Sequence, residues 1–205
     1  MASLVIVGGG IQISLVTSAV STAISMTAPG GIHAGDLLVW WNRARNNVGP
    51  PVALVPAGFT SIVNFTSTNS RGISAYRIAD GAEIGFNAMN GGLQKDEMLY
   101  VFRGTSPISS VSVQSLHSEG TDNDPASQSV TSGSGLSPLV VLGCYGSTGA
   151  VNTRTFSPAK DGEINSSTSA YLAYKIYNSS PADETIDMND EGTDNTLASY
   201  YLQCS

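Results

Sequence analysis

Short apolar runs of alternating or β-branched character recur along the whole chain, and no stretch of ten residues carries a helical stripe. The runs fall near residues 3–7, 11–16, 19–25, 36–44, 59–66, 72–79, 97–103, 108–114, 138–146, 168–177 and 196–204. Turn formers separate them, among them Pro29-Gly30-Gly31, Gly49-Pro50-Pro51, Asp80-Gly81, Asn90-Gly91-Gly92 and Asp161-Gly162. Successive side chains of a strand point to opposite faces, so period-two runs between turns read as half-buried antiparallel strands. With 205 residues, 22 glycines and only 12% charged side chains, neutral polar groups must cover the solvent faces of one large domain. The expectation is an all-β fold, a jelly-roll-like antiparallel β-sandwich forming a single domain over residues 1–205.

An internal echo adds to this. Ala75-Tyr76-Arg77-Ile78 returns as Ala173-Tyr174-Lys175-Ile176, and Met89-Asn90 returns as Met188-Asn189. The pattern predicts two pseudo-repeated halves of about four strands each, near 36–104 and 138–204, facing each other across one core. The small, polar segment 117–135 reads as the linker between them. Glu119–Asn123 and Glu191–Asn195 share the letters EGTDN out of register with that repeat, which marks loop chemistry.

A net charge of −7 and nine scattered basic residues argue against a nucleic-acid groove, since phosphates require clustered Lys and Arg. Arg43 and Arg45 read as a solvated pair on one strand face. The acidic residues between Asp183 and Asp194 read as a solvated loop. Residues 1–34 contain no Asp, Glu, Lys or Arg. Without a cationic start they do not form a signal peptide, and Gln12, Ser14, Thr17 and Ser18 interrupt any membrane span. Cytoplasmic synthesis without an export signal follows, with Cys144 and Cys204 as buried thiols more than a disulfide, although both lie in expected strands. Interface cores are depleted of charge, so segment 1–34 is the expected contact with a partner or a sister subunit.

Few residues suggest chemistry. Val5–Gly10 lacks the third glycine and the helix of a dinucleotide site. Asp187, Asn189 and Glu191, with Gly192 at the sixth position, resemble the opening of a calcium loop, but Ala198 stands where the bidentate Glu belongs. His33 and His117 are the only histidines and sit in turn-like contexts. Carboxylate pairs such as Asp80/Glu83 and Asp161/Glu163 have the residue types of a glycosidase but also those of ordinary acidic turns. Trp40-Trp41 places indoles on opposite faces of one strand. At most one should enter the sandwich, leaving the other exposed, at an interface, or stacked on a sugar.

Gly35–Val39, Pro56–Thr60, Tyr76–Glu83 and Phe102–Gly104 together resemble a module of tailed-bacteriophage virion proteins of the jelly-roll, lectin-like type. The resemblance covers about a third of the chain directly, and its motifs are turns that bring no catalytic residues. It implies a non-enzymatic virion protein made in the host cytoplasm, a capsid decoration or head-accessory subunit partnered by major capsid or tail proteins and forming a homo-oligomer. No nucleic-acid partner, membrane insertion or cofactor is implied. The chain is short for a tail fibre and lacks coiled-coil heptads. The alternative is a lectin-like receptor- or carbohydrate-binding module of a tail, using Trp40 or Trp41 and acidic loops, with or without calcium.

Overall fold

A computed structural model of the protein describes residues 11–23, 25–52, 54–66, 69–87, 94–119, 128–130, 139–146, 155–157, 159–166, 170–178, 184–189 and 196–205. The first half of the chain forms β1 (Ile13–Ser21), β2 (Ser25–Thr27), β3 (Leu37–Arg45), β4 (Thr60–Thr66), β5 (Ser70–Ile78), β6 (Gly85–Asn87) and β7 (Gln94–Gly104). The second forms β8 (Val111–Glu119), β9 (Gln128–Val130), β10 (Leu139–Gly146), β11 (Thr155–Ser157), β12 (Gly162–Asn165), β13 (Ala170–Tyr177), β14 (Glu184–Asn189) and β15 (Thr196–Cys204). Among the described residues there is no helix. The strands build two five-stranded antiparallel sheets, β1-β7-β3-β5-β4 and β12-β13-β10-β15-β8, with small sheets β2-β6 and β11-β14-β9 beside them.

The two large sheets face each other over one apolar core. Leu37, Val39, Trp41, Met98, Tyr100 and Phe102 enter it from the first sheet. Val140, Leu142, Leu172, Tyr200 and Leu202 enter it from the second. Each large side chain removed from water contributes about 1.5–3 kcal/mol. A second core lies on the opposite face of the first sheet. There Leu38, Trp40, Ile73, Leu99 and Val101 pack under Met26 of β2 and Phe86 of β6, with Phe59 and Val55 at their side. Strand β3 is therefore covered on both faces, which explains its unbroken Leu-Leu-Val-Trp-Trp run. The first sheet is thus packed on both faces, on one side against the second sheet of the expected antiparallel sandwich and on the other against β2 and β6.

The seven strands of the first half each have a counterpart in the second, which adds β11. In each, the first strand pairs with the last and the second with the second-last: β1 with β7 and β2 with β6, then β8 with β15 and β9 with β14. This nested pairing rolls each half up and gives it its jelly-roll-like character. Val39 sits between Tyr76 and Tyr100, and Leu142 between Tyr174 and Tyr200. Both first strands carry a bulge at the same point, after Leu15 in β1 and after Val113 in β8. Contacts between sheets are reciprocal as well: β1 lies against β12, and β8 against β4.

Two boundaries read from the sequence are corrected. The repeats begin at Ile13 and Val111, not near 36 and 138. Residues 105–110 join the halves, and the described parts of 117–135, residues 117–119 and 128–130, lie in β8 and β9 of the second half. Met188-Asn189 ends β14, while Met89-Asn90, the EGTDN pentapeptides beyond Glu119, and residues 1–10 lie outside the described residues.

The cysteines are not partners. Cys204 is free and buried, and Cys144 stands opposite Ala198 on β15. Six residues of extended strand separate Ala198 from Cys204, about 20 Å, far beyond disulfide reach. Burial pushes the Cys204 thiol up to about 12, so it carries no thiolate at neutral pH.

Candidate functional site

The residues that carry the virion-module resemblance converge at one end of the first sheet. Gly35 has φ 86°, and a Cβ there would lie 2.5 Å from the Cβ of Pro107. Its amide donates to the Ala79 carbonyl at 2.9 Å, and its carbonyl accepts from Ile108 at 2.9 Å. The next residue, Asp36, is buried and takes both arms of a guanidinium fork. Arg103 Nε donates to Oδ1 and Nη2 to Oδ2, each at 2.7 Å. Burial alone would raise the Asp36 carboxyl. Arg103 and the His33 amide outweigh it and hold the group below its ordinary range.

A second clamp closes the Tyr76–Glu83 corner. Arg77 pairs with Asp80 and, at 3.7 Å, with Glu83. Glu83 also accepts the amides of Asp80 at 2.9 Å and Gly81 at 3.0 Å. The Pro56–Thr60 turn closes with a 3.1 Å bond from the Phe59 amide to the Pro56 carbonyl. Gly58 in that turn lets the Arg77 guanidinium lie beside the backbone. Phe59 then meets Phe86 edge-on, ring centroids 5.2 Å apart. The glycines and charged residues of the motifs thus latch corners, while their apolar residues fill the two cores, and the Arg–carboxylate pairs supply charge-assisted bonds.

That use accounts for both carboxylate pairs. Asp80 and Glu83 are held by Arg77 and by turn amides. Asp161 accepts from Lys175 at 2.9 Å and from the Ile176 amide at 2.8 Å. Glu163 is bonded by Lys160, which lowers its carboxyl, the wrong direction for a general acid. A hollow of about 170 Å³ borders the first clamp, lined by His33, Gly35, Asp36, Arg103, Thr105 and Pro107. The neighbouring hollow holds Gln12, Ser14 and Asn178. Its polar groups already bond one another, Gln12 with Thr105 and Asn178 with Ile13.

Both tryptophans are buried at 0% exposure, which corrects the expectation of one indole at the surface. Trp41 fills the inter-sheet core. Trp40 lies in the outer core, where its Nε1 donates to Glu97 Oε1 at 2.6 Å. The alternation of faces was read correctly, but the β2-β6 cover was missed. Neither ring can stack on a sugar in this chain.

Arg43 is likewise fully buried, not solvated, and pairs with Asp96 at 3.4 Å. Asp96 also accepts the hydroxyl of Ser166 from the second sheet's side. The signal was available: Arg43 is in phase with Leu37, Val39 and Trp41. Glu97, in phase with Leu99 and Val101, is a further buried charge that sequence reasoning missed. Burial pushes its carboxyl up to about 7, and the Trp40 N–H offsets only part of that. Its Oε2 and both amide atoms of the adjacent Asn42 have no partner.

The calcium candidates do not form a loop where they are described. Asp187 and Asn189 lie on extended β14, opposite Ser157 and Thr155, and Glu191 lies outside the described residues. Among the described residues no three His, Cys, Asp or Glu side chains gather to hold a metal. His33 belongs to the corner at Asp36 and His117 to β8, opposite Ser199. No family model, curated protein or solved structure matches the chain.

Proposed function

We propose that the protein is a non-enzymatic structural component of a tailed-bacteriophage particle, a decoration or head-accessory subunit that binds major capsid proteins through its strand surfaces. One observation supports this most directly. The residues shared with virion modules are spent on architecture, in the Asp36–Arg103 and Arg77–Asp80–Glu83 clamps. A subunit whose product is its own rigid shape needs such corners and no reactive cleft. The lectin-like reading loses its aromatic platform with Trp40 and Trp41 buried.

The test is to add purified protein to particles assembled without it. Sedimentation should carry it with heads separated from tails, and imaging should place it at repeated sites on the capsid lattice. Attachment only to tails, or a specific hit on a glycan array, would sink the decoration role in favour of receptor binding.

A further inference from the structure

The outer core of the first sheet has a thin cover. Strands β2 and β6 are three residues long and, among the described residues, pair only with each other. Met26 and Phe86 are their grip on the core, while Ser25, Thr27 and Gly85 are exposed. Beside that grip lies a polar cluster. Asn42 and Glu97 are cross-strand partners, in phase with Trp40 and Leu99 on the covered face, and both are fully buried. Trp40 Nε1 satisfies one Glu97 oxygen. The other oxygen and both Asn42 amide atoms have no partner among the described residues. Ser21 stands opposite Glu97 on β1, and its hydroxyl donates to the Ser25 carbonyl at 3.4 Å. The start of β2 therefore lies next to the carboxyl.

We propose that β2 and β6 form a flap that lifts from the first sheet when Glu97 ionises, admitting water to the carboxylate and to Asn42. A buried carboxylate with a single donor is costly, and water is its cheapest remedy. On one side of Glu97 stands the sheet, where β3 and β7 are paired along their shared length and backed by the inter-sheet core. On the other stands the flap, held by two apolar side chains. Segments with few buried apolar contacts open first. Trp40 links the two events, because it packs with Met26 and Phe86 while its N–H holds Glu97.

No cation on that face compensates the carboxylate in place. Lys95 and Arg71 stand one row further along, on either side of Ala44, and Glu97 bonds neither. Arg77 and Arg103 lie toward the far end, held by Asp80, Glu83 and Asp36, with His33 beside Asp36. Strands β1, β2, β4 and β6 and residues 46–59 carry no ionisable side chain. Burial pushes the Glu97 carboxyl from 4.5 up to about 7, and a lifted flap returns it toward its ordinary value. Opening is therefore favoured as pH rises from about 4.5 to 7 and gains little beyond. The flap stands or falls apart from any role on a particle.

Amide hydrogen exchange on the full chain tests this, comparing β2 and β6 with β10 at pH 5 and pH 8 after correction for the intrinsic rate. The opening constant of the flap amides should rise by at least about tenfold at the higher pH. Low urea should leave that opening unchanged, since a local motion exposes little surface, while it speeds exchange in β10. Glu97→Gln should give flap exchange independent of pH, and the wild-type comparison stands by itself if that variant does not fold. Flap exchange equal at both pH values would overturn the proposal. So would a urea response matching that of β10, or a pH response that survives in Glu97→Gln.

Discussion

Glu97 carries a marked electrostatic cost of burial. It is fully buried, holds one hydrogen bond, and lies beside an amide with no partner. Its carboxyl moves from a reference of 4.5 to about 7 on folding. A raised acid pKa means the folded state binds the proton more tightly. Stability is therefore greatest below about pH 4.5, declines as pH rises toward 7, and then levels off, for a total on the order of 3 kcal/mol. Glu97→Gln keeps an acceptor for Trp40 and has no charge to lose. Urea melts should show it more stable than wild type by about 2 kcal/mol at pH 8, with the gain vanishing near pH 4.5. A gain of equal size at both pH values would mean that packing, not ionisation, sets the cost.

Among the elements, corners are more demanding than strands. Gly35→Ala meets both a left-handed φ and the Cβ of Pro107, and should cost about 2–3 kcal/mol in the denaturant midpoint. Gly30→Ala meets nothing within 4 Å and should stay within about 0.5 kcal/mol. The main strands were legible because period two survives wherever one face is wet, and the same alternation put Trp40 and Trp41 on opposite faces without saying which points inward. The cover over Trp40 was not legible. It comes from Ser25–Thr27 and Gly85–Asn87, three-residue strands too short to show a period and brought together from opposite ends of their half. The corner clamps were visible as motifs but not as ion pairs, because Asp36 and Arg103 meet only after β3 and β7 have paired.

For the whole molecule, the repeat reaches down to single hydroxyls. Tyr100 reaches across the sandwich to the Leu172 carbonyl at 2.7 Å. From the other side Tyr200 bonds the hydroxyl of Ser74, which in turn donates to the Trp40 carbonyl. The two tyrosines occupy matched places on β7 and β15, as their acceptors do on β5 and β13. Tyr100→Phe and Tyr200→Phe should each cost about 1 kcal/mol. The double variant should cost their sum within about 0.5 kcal/mol, in a single cooperative transition. Two separate transitions would show the sheets to be independent.

Neither large sheet borrows a strand from the other half, and residues 105–110 are the one bridge between them. The Ser205 carbonyl accepts the amides of Ser109 and Ser110, which brings the last residue back to that bridge. Cutting the chain at Ser106 severs no strand and leaves the inter-sheet core to hold two polypeptides together. Residues 1–106 and 107–205, co-expressed with a tag on one piece only, should copurify as a stoichiometric pair. The same fold would then serve as a split protein, its cleavage point written into its duplication.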